Sequence, residues 1–164
     1  QLLDKLKKKA DIFPQVLVFK DKVQVEHIVG IKEATGSMAR LAELRQNCRQ
    51  GFSLLSGDDA TAAEFVLKGG DGVISVTTNV APQGMTAMIQ AALAGDHQTT
   101  QAVDSQLQAL HRDLFIESNP IPTKWALYRM GLIQSDFARL PLTRLEPIHQ
   151  VVIEQALQQA KINL

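Results

Sequence analysis

Short apolar runs alternate with helical patterns along the chain from residue 27 onward. The runs IVGI (28–31), FSLLS (52–56) and GVISV (72–76) are largely apolar on both faces, as strands are in a parallel sheet that helices cover on both sides. The segments between these runs carry apolar residues at helical spacing. This alternation predicts an α/β fold built from strand–helix units.

Polar residues and glycines mark where the predicted helices begin and end. Ser37 is placed to cap the helix after the first strand, and Asp58 or Asp59 to cap the helix after the second. Glycines stand where several of these helices are expected to end. The later chain is predicted to be helical, with helices at 82–95, 97–114, 121–130 and 147–161 and a connecting loop at 139–147.

Residues 1–26 follow a different pattern from the rest of the chain. LLDKLKKKA (2–10) predicts a short basic helix, and QVLVFKDKVQV (15–25) predicts a strand or a hairpin. Three later strands alone make neither a barrel nor a balanced doubly wound sheet. We therefore expect the sequence to be the later part of a larger α/β unit.

Composition excludes several classes of function. Lys and Arg together number 17, as do Asp and Glu, so the chain carries no net charge that would attract a nucleic acid. The lysine cluster KLKKK (5–9) is interpreted as a solvated helix face. A single cysteine, Cys48, rules out an internal disulfide and suits the reducing cytoplasm. No apolar run approaches the roughly 18–20 residues of a membrane span, and nothing resembles a signal peptide.

Lys32 stands at the end of the first apolar strand. A structural or solvated lysine is one interpretation of this position. The other is a Schiff-base lysine, whose amine must be neutral to attack a carbonyl, and desolvation among apolar residues favours the neutral form. In α/β barrels the chemistry lies at the carboxyl ends of the strands, where Lys32 is expected.

Other candidate features have structural interpretations. SGDD (56–59) offers two carboxylates for metal binding or acid–base chemistry, but an aspartate at a helix start also caps backbone amides. Gly69, Gly70 and Gly72 precede a strand, so they predict a turn and not a dinucleotide-binding loop. The four histidines show no metal-ligand spacing, and with one cysteine in the chain we expect no metal site.

Four motifs, in their order along the chain, resemble one known family. They are GIKEATGS (30–37), LLSGDD (54–59), GGDGVISVTTNVAP (69–82) and NPIPTKWAL (119–127). They are similar to pyruvate-dependent class I aldolases, and within these to the dihydrodipicolinate synthase family, which NPIPTKWAL favours over the sialic-acid lyase branch. The resemblance covers about residues 28–164. It implies the C-terminal part of a (β/α)8 TIM barrel, with the three apolar runs as strands 6–8, followed by C-terminal helices.

The resemblance implies three segments. Residues 1–26 form a divergent N-terminal segment, residues 27–96 form the last three β/α units of the barrel, and residues 97–164 form a C-terminal helical region. It also implies a cytoplasmic homo-oligomer, commonly a tetramer in this family, that needs no cofactor.

The same resemblance implies roles for three residues. Lys32 is the amine that condenses with pyruvate, Gly57 lines the site, and the backbone at Ile74 contacts bound pyruvate. The resulting enamine attacks the aldehyde of L-aspartate 4-semialdehyde in lysine (diaminopimelate) biosynthesis. The expected partners are therefore these two small molecules, with no nucleic acid and no membrane.

The chain also departs from the family pattern. The family's proton relay uses a tyrosine and a threonine pair from the first half of the barrel, and an arginine after strand 5 holds the second substrate. Here the only tyrosine is Tyr128, in the C-terminal helical region, and Thr77 and Thr78 follow strand 8. We therefore expect the nucleophile without the relay. A catalytically inactive homologue acting as a structural or interaction module, and another pyruvate-dependent aldolase, stay open as alternatives.

Overall fold

Three short strands and six α-helices follow one another in residues 27–162, the part of the chain that the computed structural model describes. The elements predicted within residues 1–26 lie outside this part. The strands are β1 (Gly30–Glu33), β2 (Ser53–Ser56) and β3 (Gly72–Val73). The helices are α1 (Met38–Asn47), α2 (Ala62–Leu67), α3 (Pro82–Leu93), α4 (His97–Asp113), α5 (Ile121–Arg129) and α6 (Pro147–Gln159), and a 3₁₀ turn covers Thr77–Asn79.

The three strands lie side by side in chain order and run parallel. Lys32 pairs with Leu55, and Ser56 pairs with Val73. Each connection passes through one helix, α1 and then α2, as parallel neighbours require. Within residues 27–162, β1 has a strand neighbour on one side only and forms an edge of the sheet.

Except for α2, the helices begin and end close to where the sequence predicts. The hydroxyl of Ser37 accepts a hydrogen bond from the amide of Arg40 at 3.3 Å, which confirms Ser37 as the N-cap of α1. Gly95 and Gly131 follow α3 and α5 with φ angles of 73° and 71°, a left-handed conformation that glycine adopts without strain. The last four helices agree with the predicted bounds to within two residues.

Two apolar clusters hold the helices together. The smaller joins α1, β2 and α2, with Leu44 and Phe65 among its buried side chains. The larger joins α2 to all the later helices, and Met88, Leu110 and Ile153 are completely buried in it. Each such side chain contributes about 1.5–3 kcal/mol on burial. The C-terminal helices therefore continue the core of the strand–helix units.

The helix after β2 begins later than the sequence predicts. Thr61 is the N-cap of α2, so the prediction that Asp58 or Asp59 caps this helix is wrong. The carboxylate of Asp58 instead accepts hydrogen bonds from the amide of Thr61 at 3.1 Å and from its hydroxyl at 2.7 Å. Asp58 closes the turn ahead of the helix, and Asp59 reaches a different part of the chain.

The third strand has two residues, although five were predicted. The amide of Ile74 still donates to the carbonyl of Ser56 at 2.8 Å, which continues the pairing by one residue. The amides of Val76 and Thr77 then donate to the carboxylate of Asp59. Because a side chain takes these donors, the backbone ladder ends and the chain turns into the 3₁₀ segment.

Candidate active site

Lys32 is the third residue of β1, one residue before the carboxyl end of that strand. Successive side chains of a strand point to opposite faces, and here Lys32 is exposed whereas Glu33 is buried. The strand begins and ends two residues later than the predicted run 28–31, so Lys32 lies inside it and close to its carboxyl end. The expected apolar enclosure is not formed by residues 27–162, because β1 is an edge of the sheet they build.

Gly57 lies against the side chain of Lys32. A Cβ atom at position 57 would be 2.7 Å from Cε and 2.9 Å from Cγ of Lys32, and 2.7 Å from Cβ of Ala34. The amide of Gly57 also donates a hydrogen bond to the carbonyl of Glu33 at 2.6 Å. The chain after β2 can pass this close to the lysine only because position 57 has no side chain.

Ile74 follows β3 by one residue and has 47% of its surface exposed. Its amide is bound to the carbonyl of Ser56, the residue before Gly57. Lys32, Gly57 and Ile74 therefore lie at or just beyond the carboxyl ends of β1, β2 and β3. Parallel strands present these ends at one edge of the sheet, where α/β proteins commonly bind their ligands.

Glu33 is a buried carboxylate that the sequence analysis did not select. Only 1% of its surface is exposed, and its Oε1 accepts a hydrogen bond from the amide of Thr35 at 3.0 Å. The other oxygen, Oε2, has no hydrogen-bond partner among the described residues. The sequence already indicated the orientation of Glu33, because adjacent residues of a strand face opposite sides and Glu33 follows Lys32.

Asp59, Thr77 and His111 form a buried polar chain behind this edge. The hydroxyl of Thr77 lies 3.2 Å from Oδ2 of Asp59 and 2.9 Å from Nδ1 of His111, and each of the three residues is at most 3% exposed. Sequence spacing gave no signal of this arrangement, because the three residues are 18 and 34 positions apart. SGDD therefore has one aspartate in a local turn and one in a long-range network.

Other candidate chemistry does not gather at this edge. Tyr128 lies on α5 in the C-terminal helical region, with 47% of its surface exposed. No group of three or more His, Cys, Asp or Glu side chains in residues 27–162 is arranged to hold a metal ion. Within the same residues, no helix has both the length and the apolar character needed to cross a membrane.

Parallel strands that alternate with covering helices, with the candidate residues near their carboxyl ends, define this chain as part of an α/β barrel. A model of the dihydrodipicolinate synthetase family matches residues 10–160. The chain belongs to this family, and the resemblance stated from its motifs is confirmed. The matched range begins inside the N-terminal segment 1–26.

Relatives in the family are similar over nearly the whole chain. The 4-hydroxy-tetrahydrodipicolinate synthase of Methylococcus capsulatus is 60% identical over 139 residues, which are 85% of this chain and 47% of that protein. The synthase of Alcanivorax borkumensis is 52% identical over 91% of this chain and 50% of its own length. The chain thus spans about half the length of these curated relatives.

Solved structures agree on the fold. Dihydrodipicolinate synthase from Aquifex aeolicus superposes with a TM-score of 0.81 at 37% identity, over 86% of this chain and 48% of that one. The chloride-inhibited dihydrodipicolinate synthase from Acinetobacter baumannii, complexed with pyruvate, superposes with a TM-score of 0.78 at 44% identity. The match covers 83% of this chain and 46% of that one. The predicted fold, the C-terminal part of a (β/α)8 barrel followed by helices, is confirmed.

Proposed function

We propose that this chain supplies the Schiff-base lysine of a 4-hydroxy-tetrahydrodipicolinate synthase, a lyase that joins pyruvate to L-aspartate 4-semialdehyde in lysine (diaminopimelate) biosynthesis. The observation that carries the proposal is the packing of Lys32 against Gly57 at the carboxyl edge of the sheet. The names of the relatives support the synthase activity, and the A. baumannii complex supports pyruvate as a substrate.

The proposed chemistry begins with attack of Nζ of Lys32 on C2 of pyruvate. A C–N bond forms, and the carbonyl oxygen leaves as water to give an iminium ion. This ion withdraws electrons from the neighbouring methyl group, which loses a proton to a base and becomes the nucleophilic carbon of an enamine. That carbon attacks the aldehyde carbon of the semialdehyde, a C–C bond forms, the aldehyde oxygen takes up a proton, and the iminium ion on Lys32 is restored. The amino group of the former semialdehyde then adds to the iminium carbon and closes a ring, and the bond to Nζ breaks to return the free amine of Lys32.

Gly57 and Ile74 are proposed to bind pyruvate at this edge. Gly57 lines the site by packing directly against the stem of Lys32, and the backbone of Ile74 lies just beyond β3. The proton relay and the group that binds the second carboxylate are not recognised among the described residues. We therefore propose that the complete site needs further barrel strands beside β1 and works in a homo-oligomer.

Borohydride trapping tests this proposal directly. The chain is incubated with pyruvate, the imine is reduced, and the mass of the intact protein is measured. We expect one adduct on the wild type and none on Lys32→Arg, which keeps the charge but cannot form the imine. Lys68→Arg is the matched control, because Lys68 forms a surface ion pair with Glu64 and lies outside the site. An adduct that survives in Lys32→Arg would place the nucleophile elsewhere.

A catalytically inactive homologue is the second candidate, and the exposure of Lys32 on the edge strand of the sheet that residues 27–162 build favours it. A solvated ammonium group is a poor nucleophile because water stabilises its charged form. This candidate predicts no adduct on the wild type at millimolar pyruvate. The same trapping experiment therefore decides between the two.

A further inference from the structure

Residues 56–59 contact both sides of the candidate site. Gly57 packs on the stem of Lys32, and the carbonyl of Ser56 binds the amide of Ile74. Two residues after Gly57, the carboxylate of Asp59 binds the segment that follows Ile74. One short stretch therefore fixes the distance between the lysine and the chain beyond β3.

Asp59 binds this segment through a single oxygen. Its Oδ2 accepts hydrogen bonds from the amides of Val76 at 3.0 Å and Thr77 at 2.9 Å, and from the hydroxyl of Thr77 at 3.2 Å. Asp59 is 2% exposed, and a buried carboxylate is stable only when hydrogen-bond donors replace its water. Because the donors come from two adjacent residues, the carboxylate holds that stretch of backbone in one conformation.

His111 holds the same segment from the other side. The hydroxyl of Thr77 has one hydrogen, and a carboxylate can only accept, so that hydrogen is directed to Asp59. The hydroxyl oxygen then accepts from Nδ1–H of His111, a residue of α4 that is 3% exposed. The hydroxyl of Thr77 thus forms hydrogen bonds both with the loop after β2, through Asp59, and with a helix of the C-terminal region, through His111.

We propose that Asp59 and His111 are positioning residues that act through Thr77. Together they fix the backbone beyond β3 so that Ile74 faces pyruvate bound to Lys32. Neither residue contacts the reacting atoms. This inference rests on the proposed function, since it assigns the two residues to the binding of pyruvate at that site.

Thr77→Val and Thr77→Ser form the matched pair for a test. Valine keeps the shape of threonine and removes the hydroxyl, whereas serine keeps the hydroxyl. The pyruvate concentration for half-maximal borohydride trapping is measured together with the fraction trapped at saturation. Small displacements of a positioning group cost up to about 10²-fold, so we expect a 10- to 100-fold higher half-saturating concentration for Thr77→Val. Its trapped fraction at saturation is expected to be unchanged, and Thr77→Ser to behave as the wild type.

Hydrogen exchange read by mass spectrometry gives a second measurement that does not need pyruvate. Thr77→Val and Asp59→Asn are expected to speed exchange at residues 74–77 and to leave α6 unchanged. A folded Thr77→Val protein with wild-type half-saturation overturns the inference, as does exchange that rises evenly through the chain. If the wild type forms no adduct, the proposed function fails and the pyruvate-binding role falls with it. Exchange at residues 74–77 then still decides whether Asp59 and the hydroxyl of Thr77 hold the segment.

Discussion

Replacing Gly57 with alanine is expected to displace Lys32 and to destabilise the loop after β2. The new Cβ would lie 2.7 Å from Cε of Lys32 and 2.7 Å from Cβ of Ala34. The lysine stem is flexible and can move away, but Cβ of Ala34 moves only with its backbone. Overpacking of this kind costs about 1–3 kcal/mol of folding free energy, and misplacing a reacting group by about 1 Å costs up to 10²-fold in rate.

Two measurements on a small set of variants separate these effects. Urea unfolding gives the free energy of unfolding, and the rate of borohydride-trapped adduct at fixed pyruvate reports the amine. The double variant Ala34→Gly with Gly57→Ala removes only the contact with Ala34, so we expect it to lack that overpacking cost and still to react slowly. Gly84→Ala is the control, because its Cβ would meet only the flexible end of Leu107 at 3.2 Å, on a helix away from the site.

Two outcomes would contradict this reasoning. If Gly57→Ala traps pyruvate at the wild-type rate, the close approach of position 57 does not hold the amine in place. If the double variant recovers the full trapping rate, the loss of rate in Gly57→Ala is caused by the displaced backbone at Ala34 and not by the displaced side chain of Lys32. A loss of stability in Gly84→Ala equal to that in Gly57→Ala would mean that added volume is poorly tolerated throughout the molecule.

Three further predictions concern other parts of the chain. Burial disfavours the carboxylate of Glu117, but hydrogen bonds from His149 and from the amide of Glu146 outweigh it and hold the pKa of Glu117 below its ordinary value of 4.5. Glu117→Gln should therefore lower the free energy of unfolding at pH 7 by about 1–2 kcal/mol. The ionised form of Glu117 is the one that favours the fold, so this difference should vanish as the pH falls below 4.5 and through the lowered pKa. Burial raises the pKa of the Cys48 thiol, so its alkylation by iodoacetamide at pH 8 should be slower than that of free cysteine; an equal rate would refute this. Within residues 27–162, β1 has no strand neighbour on one side, and this edge should drive association. Light scattering at micromolar concentration should therefore give a mass above the 18.0 kDa of the monomer, and a stable monomer would argue that the edge is covered.

Local features of this fold could be predicted from the sequence, whereas contacts between distant segments could not. Ser37 and Gly95 act on backbone groups within a few residues, so their residue type already indicates a cap or a helix end. The carboxylate of Asp59 is close in sequence to a helix start, which favoured the wrong prediction of an N-cap. Its donors at Val76 and Thr77 come near only after β2 and β3 have paired, and no local pattern reports that pairing.

The face on which Lys32 lies is also set by a contact between distant residues. A slip of one residue between β1 and β2 would exchange the faces of Lys32 and Glu33. Gly30 opposes Ser53, and a Cβ on Gly30 would lie 2.8 Å from both Cβ and the carbonyl oxygen of Ser53. A slip of one residue would place Val29 or Ile31 opposite Ser53, and its Cβ would then occupy the space that Gly30 leaves open. Gly30 thereby fixes the register, and the register directs the amine to the open face and the carboxylate to the buried one.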